Sequence, residues 1–404
     1  MITATLYSKS LREKGYCKLA TTSFPASRYD LALAFAKARI TGPEDCAMRF
    51  DRQSYPQINA ILKLLPQNGS SLDELNFFAK RFVDMDVTSR SKVLGMIRMT
   101  PPDSYMELIS LIYNLDHVLL INAGSYAKLG RYLVDMNEAE IDKDADPVEE
   151  YTRIGKERVI NHDGVFILGM YAEYTTDPFS LPRLRDGGAL PCNTQGDDWV
   201  FRLVMEKFDA DGNEIEDNGI YVYLPYYDPM LEQEVELGNV NNFTDKYGYT
   251  MTGVETHISA FDGVFDENTD IGLLNSLAAE IGRMDDAGFV KFIAVLEHER
   301  ARLREKTGDV NVTLAGKHLF CALDYKNYDL DPRIVNAEDY AKNILYRADV
   351  DPVLADHIDY HSYGLAKLEE AGAEVGSYGL IRPKEPRQEE AQKSGQNEGM
   401  NMNL

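Results

Sequence analysis

LDELNFFAKRFVDMDVTSRSK (residues 72–92) and IGLLNSLAAEIGRMDDAGFVK (residues 271–291) decide how this chain is read. Leu75-Asn76, Ala79, Met85-Asp86 and Lys92 of the first stretch recur, at one constant offset, as Leu274-Asn275, Ala278, Met284-Asp285 and Lys291 of the second. Self-similarity over so long a separation is the mark of a repeated structural unit. Further on, Leu115-Asp116 answers Leu323-Asp324, and Tyr126-Ala127-Lys128 answers Tyr340-Ala341-Lys342. Upstream, ATLYSK, KLATTSFP and RYDLALAFAKARI in one half correspond to FRLVMEKF, IYVYLP and DPMLEQEVEL in the other. Each set reads as a strand, a return strand ending near a proline, and a helical run. The chain is therefore expected to be a tandem duplication: a first repeat over 1–167, a Pro/Gly-rich linker over 168–198, a second repeat over 199–382, and a disordered tail over 383–404.

Within each repeat the patterning is mixed. FRLVMEKF alternates at period two, Asp211-Gly212 is a tight-turn dipeptide and GIYVYLP returns, so residues 200–225 read as a β-hairpin. Apolar residues fall at helical spacing from Leu72 to Met99, from Asp339 to Tyr346 and from Asp351 to Leu368. Ser71 followed by Glu74 has the form of a capping box. No alternation of strands with long helices suggests a doubly wound sheet. The expectation is an α+β protein, an elongated chain of small antiparallel-sheet and helix subdomains.

Composition bounds the function. With 404 residues and 44% hydrophobic content, the chain buries more than one core. No stretch of eighteen apolar residues occurs and the N-terminus lacks a signal-peptide pattern, so the expected location is the cytoplasm, with no membrane partner. Cys17, Cys46, Cys192 and Cys321 lie far apart, without zinc-site or disulfide-framework spacing. The formal net charge is −24, and it is regional. Residues 1–100 hold 15 Lys+Arg against 9 Asp+Glu, residues 101–300 hold 14 against 39, and residues 301–404 hold 13 against 18. So concentrated a negative field repels phosphate and attracts basic grooves, which argues against direct nucleic-acid binding by the acidic region.

Motifs for chemistry are sparse. No GxGxxG, GxxxxGK[ST] or GxSxG pattern is present, and no cofactor is expected. His357 and His361 would share a helix face beside Asp356 and Asp359, but Ile358 stands where a zincin needs glutamate, so no metal site is assigned. A hydrolase built on these histidines is the weakest of the readings. Asp209 to Asn213 imitates the start of a calcium loop, then fails at Ile220, where a bidentate glutamate is required. The pattern that remains is one of carboxylates. Asp135, Glu138, Glu140, Asp142, Asp144, Asp146, Glu149 and Glu150 form one set; Glu206, Asp209, Asp211, Glu214, Glu216 and Asp217 form a second; Glu232, Glu234 and Glu236 alternate in a third. On one helix face carboxylates stand about 5–6 Å apart, and on one strand face about 6.5–7 Å. A DNA strand offers a phosphate every ~3.4 Å. A rigid row of carboxylates therefore competes for the same lysines and arginines.

These stretches resemble a known family, the ArdA-type antirestriction proteins in their extended form from mobile genetic elements. The similarity lies in ELISLIYNLDHVLLI with SYAKLGRYL (residues 107–133), HLFCALDYKNYDLDP with EDYAKNI (318–344) and HIDYHSYGLAKLEEAGAEVGSYGLI (357–381). DELNFFAKRF and TDKYGYTMTGVETHIS also look like family segments, and together these cover about half the chain. The resemblance implies a tandem pair of ArdA-like units whose acidic surface mimics bent DNA and inhibits type I restriction-modification enzymes. It implies no catalysis and no cofactor, and a homodimer or, through the tandem repeat, a pseudo-dimer. Two features depart from the family: the unit is doubled, and the first hundred residues are net basic. The expected partner is thus a bacterial nuclease or restriction-modification complex, met at its DNA-binding groove. A CRISPR effector, another nucleic-acid-binding defence complex, and a protein-interaction module that mimics nothing stand as alternatives.

Overall fold

The computed structural model describes residues 2–51, 53–142, 145–185, 188–190, 199–208, 219–226, 249–307, 324–348 and 357–384. Contacts divide the chain into two compact units, Met1–Ala26 with Ala38–Gln195, and Ser27–Lys37 with Gly196–Leu404. The architecture is α+β, with four three-stranded antiparallel sheets among the described residues.

The first unit begins with β1 (Ile2–Ser8), a short helix α1 (Lys9–Glu13) and β2 (Leu19–Phe24). After helix α2 (Arg28–Ala38) comes β3 (Cys46–Phe50), and the strands pair in the order β2-β1-β3. Strict alternation of buried and exposed residues along β2 puts Ala20, Thr22 and Phe24 inward. Helix α3 (Pro56–Leu62) leads to α4 (Leu72–Asp84), α5 (Val87–Met99) and α6 (Tyr105–Ile112). The long helical stretch expected from Leu72 to Met99 is thus two helices. The break falls at Met85-Asp86 because Asp86 leaves helical geometry to cap α5, its carboxylate accepting from the Ser89 amide at 2.7 Å. Ser71 makes no side-chain cap, contrary to the capping-box expectation: a 3-10 turn at Gly69–Ser71 runs directly into α4. The unit closes with β4 (Val118–Ile121), α7 (Tyr126–Asp135), α8 (Pro147–Asn161), β5 (Val165–Ile167) and β6 (Met170–Tyr174), in the sheet order β4-β6-β5. Strand β6 lies within the 168–198 segment read as a linker. It is the central strand of its sheet, with Tyr171, Ala172 and Glu173 all buried, and Asn114 and Ser110 hold the following residues through Pro182 and Leu184.

The second unit repeats the strand order of both sheets. Strands β7 (Phe201–Glu206), β8 (Ile220–Leu224) and β9 (Thr250–Thr256) pair as β8-β7-β9. Helices α9 (Ile271–Arg283) and α10 (Asp286–Thr307) follow, then β10 (Tyr328–Asp331), α11 (Ala337–Arg347), α12 (Tyr360–Glu370), β11 (Glu374–Gly376) and β12 (Gly379–Pro383), ordered β10-β12-β11. The recurring residues have matching duties. Asn76 clamps Ala26, accepting from its amide at 2.7 Å and donating to its carbonyl at 2.9 Å. Asn275 does the same to Tyr226 at 2.7 and 3.5 Å. Leu75, Leu274, Ala79 and Ala278 are core residues, and Asp285 bonds the Gly288 amide just as Asp86 bonds that of Ser89. The YAK match is less faithful. The caps of the two helices, Ser125 and Asn336, place Tyr126 opposite Ala337, so the repeated tripeptide sits about one helical turn later in α11 than in α7.

One element crosses the expected boundary. Helix α2 was read as part of the first repeat, yet residues 27–37 belong to the second compact unit. Tyr29, Ala32 and Leu33 enter its core beside Leu274, Phe289 and Phe292, with the Tyr29 and Phe289 rings 4.8 Å apart. Burying Tyr29 and Leu33 favours this placement by roughly 1.5–3 kcal/mol each. Polar contacts fix the register: the Ser259 amide and hydroxyl both donate to Asp30, at 3.0 and 2.7 Å, and Arg28 donates to the Met284 carbonyl. The counterpart stretch DPMLEQEVEL, together with Cys192, Cys321, the calcium-loop imitation and the tail beyond residue 384, lies outside the described residues.

Candidate functional site

The described acids of the first set lie on and between α7 and α8. Two glycines bring these helices together: a Cβ on Gly130 would stand 1.8 Å from the Tyr151 carbonyl oxygen, and one on Gly155 2.0 Å from that of Tyr126. Leu129, Leu133 and Ile154 pack beneath with Ile121 and Tyr171. Polar residues share the outer surface of the pair with the exposed Tyr126, Val148 and Ile160.

Each acid has a definite place. Asp135 ends α7, exposed, 3.7 Å from Arg131. Glu138 is exposed and 3.3 Å from Arg158. Glu140, Asp142 and Glu149 are exposed. Asp146 caps α8, accepting from the Val148 and Glu149 amides at 2.9 and 3.0 Å, and its charge is favoured at a helix N-terminus. Glu150 is bound by Arg153 through two parallel hydrogen bonds of 3.0 and 2.9 Å, which hold its carboxyl below the ordinary range. Arg153 also reaches Glu157 at 2.7 Å. Part of the acidic row is thus neutralised within the helix, while Glu140 and Glu149 face solvent. Glu206 ends β7 in the second unit, opposite Thr250. Asp144, Asp209, Asp211, Glu214, Glu216, Asp217, Glu232, Glu234 and Glu236 lie outside the described residues.

Reading the sequence for exposed acids missed the buried one. Glu173 on β6 is 3% exposed. Arg158 donates to both its oxygens, at 2.9 and 2.5 Å, and the Tyr171 hydroxyl adds a bond of 2.7 Å. Burial pushes the Glu173 carboxyl upward, but the Arg158 and Tyr171 bonds outweigh it, and the net shift is down. Burial, then the bond to Glu173, pushes the Tyr171 phenol up. Arg158 joins buried Glu173 to exposed Glu138, tying α8 and the acidic connector to the sheet. In the sequence it is a single glutamate in MYAEY (residues 170–174), whose strand is buried on both faces.

The histidines take different positions from those expected. Helix α12 begins at Tyr360, so His357 precedes it and the two imidazoles do not share a helix face. Asp359 caps the helix, accepting from the His361 and Ser362 amides, each at 3.1 Å. Among the described residues no group of three or more His, Cys, Asp or Glu side chains converges as a metal site. His298, which has no Ser or Cys at a recognisable spacing in the sequence, is buried with Nδ1 2.7 Å from Glu374, in a cleft of about 370 Å³ shared with Glu297, Arg300 and Arg304. Its Nε2 makes no hydrogen bond. Among the described residues no serine or cysteine bonds this imidazole.

No protein-family model and no curated protein matches this chain. None of the helices among the described residues is long and apolar enough to cross a membrane.

Proposed function

We infer that this protein is a non-catalytic anti-defence inhibitor, acting in the bacterial cytoplasm, that mimics DNA and competes with it for a type I restriction-modification enzyme. The observation that carries this reading is the concentration of charge, 39 acids against 14 bases over residues 101–300. Its described part includes the exposed Glu140, Asp142 and Glu149 around the α7–α8 connection. Carboxylates on and between α7 and α8 compete for the lysines and arginines of a DNA groove. The resemblance to ArdA-type proteins supports the same reading. A CRISPR effector or other nucleic-acid-binding defence complex is the alternative target, since the basic first hundred residues depart from that family. A module that mimics nothing is favoured by one observation: Asp135, Glu138 and Glu150 already pair with arginines of their own chain.

The test is inhibition of DNA cleavage and DNA binding by a panel of restriction and CRISPR nucleases. We expect inhibition that weakens steeply as salt rises, since ions are exchanged as in a DNA complex. The combined variant Glu140→Gln, Asp142→Asn, Glu149→Gln is expected to lose at least about tenfold in potency, at a cost near 0.5 kcal/mol per exposed pair. Inhibition indifferent to salt and to this variant would count against DNA mimicry.

A further inference from the structure

Helix α5 packs on β5 and β6 in the first unit, and α10 packs on β11 and β12 in the second. The two helices end differently. Helix α5 stops at Met99, just before Pro101-Pro102, whereas α10 runs on to Thr307. At the offset that matches Met85 to Met284, Arg98 answers Glu297, and each is bonded to the hairpin beside it. Arg98 donates to the Phe166 carbonyl at 2.9 Å, while Glu297 accepts from the side chains of Ser377 and Tyr378. Arg300, Arg302 and Arg304 fall on the part of α10 that has no helical counterpart in α5.

Half-buried Arg300 and exposed Arg304, one turn apart on that extension, line the cleft of about 370 Å³ beside His298, together with Glu297 and Glu374. Both carboxylates are engaged elsewhere. Glu374 is bonded to His298 Nδ1 at 2.7 Å. Burial pushes the Glu297 carboxyl up, against the opposing effects of Lys37 and of the Ser377 and Tyr378 hydroxyls. Among the described residues neither Arg300 nor Arg304 makes an ion pair, and Arg300 Nε is closed to solvent without a hydrogen-bond acceptor. Like charges one turn apart repel, and a buried N–H without an acceptor has lost its hydration for nothing. An anion seated against the two guanidiniums relieves both.

The arrangement favours a phosphate over a carboxylate. One carboxylate fills the fork of one guanidinium, whereas a phosphate group offers three oxygens and a charge of about −1.5 to −2 at pH 7, enough to meet both. The acidity of the chain as a whole does not forbid this, since at physiological salt charges beyond about 8 Å are largely screened. The volume lies within the ~300–1,000 Å³ range of small-molecule sites, and Ala294 and Ala301 give the cleft an apolar side. We propose that the cleft between the extended end of α10 and the β11–β12 hairpin binds a small organic phosphate, its phosphate group held by Arg300 and Arg304 and its carbon skeleton against Ala294 and Ala301. This site is independent of the inhibitor reading and of any nuclease.

Full-length protein is titrated by calorimetry with glycerol phosphate, with inorganic phosphate and with succinate. We expect glycerol phosphate to bind about tenfold more tightly than succinate, and more tightly than inorganic phosphate. Arg304→Gln, at an exposed position, should weaken glycerol phosphate about tenfold. Arg302→Gln should bind like the parent, because Arg302 is bonded to Glu299 at 3.1 Å and does not line this cleft. Arg300→Gln should weaken binding at least as much as Arg304→Gln, with its unfolding midpoint measured alongside; if that variant does not fold, Arg304→Gln decides. No binding of glycerol phosphate at millimolar concentration overturns the proposal, as does equal affinity for succinate. Binding that survives Arg304→Gln, or that falls as far with Arg302→Gln, overturns it too. Inorganic phosphate binding as tightly as the ester would refute the organic ligand.

Discussion

The two hairpin-and-helix modules, residues 118–174 and 328–383, share a sheet order and a way of packing their helices, yet they use charge differently. In both, a glycine of the second helix sits on the first residue of the helix before it: Gly155 on Tyr126, Gly364 on Ala337, each with a would-be Cβ 2.0 Å from that residue's carbonyl oxygen. At the other close approach Gly130 corresponds to Ala341, which is fully buried. On the central strand the modules part. Opposite Leu119 stands buried Glu173, gripped by Arg158; opposite Asp329 stands Arg382, half-exposed and 3.8 Å from that aspartate. Close packing of backbones is indifferent to the polarity of the strand, so one frame accepts an internal ion pair in one copy and a solvated one in the other.

The largest expected effect tests what the modules share. Gly155→Val and Gly364→Val should each destabilise the module that carries them by about 3 kcal/mol, since each drives a branched side chain into backbone that cannot yield. Urea unfolding with hydrogen-exchange protection, read separately for α7–α8 and α11–α12, measures this. If either variant kept parental protection in its own helices, the common packing would be refuted.

The next effect separates them. Glu173→Gln should cost the first module about 3 kcal/mol, because it leaves the Arg158 guanidinium beside a neutral partner. Arg382→Ala should cost the second module no more than about 0.5 kcal/mol, as exposed pairs do. Acidity sharpens the contrast. Glu173 is held below its unfolded value of about 4.3, so its stabilisation is complete above that pH and lost as the pH falls through the folded-state value. Urea midpoints of α8 exchange should therefore drop on acidification in the parent and stay flatter in Glu173→Gln. Parallel acid profiles would show that the ion pair stabilises nothing.

The smallest effect concerns the exposed acids. Glu140→Gln with Glu149→Gln should move the unfolding midpoint by no more than about 0.5 kcal/mol. A larger loss would make these carboxylates structural rather than available to a partner.

Much of the frame was legible in local sequence. Alternation in FRLVMEKF gave a strand, and apolar spacing after Leu72 gave a helix, because burial of one face imposes its period on the chain. The recurrence of Leu75-Asn76 was visible too, although its cause, the clamp on the residue after a proline, needed the fold. Readings failed where a local signal had several outcomes. Ser71 and Glu74 have the letters of a capping box, but a 3-10 turn takes the helix start instead. His357 and His361 have helical spacing, but the helix begins between them. The exposed acids were named from composition; the exposure of Tyr221 and Tyr223 on β8 was not, because they look like ordinary core alternation until their strand is given a side.

By itself the sequence determined the class of fold, the recurrence of Leu75-Asn76 and Met85-Asp86 in the second half, and the region where negative charge collects. Each of these depends on residues close together in the chain or on simple counting. Tertiary structure alone decided that α2 completes the core of the second unit, that Glu173 is an internal partner rather than a surface acid, and that two tyrosines face solvent. The physical reason is the same in each case. An apolar stripe, a carboxylate or a ring states what it would gain from a neighbour, while which neighbour it meets is set by packing between segments far apart in sequence.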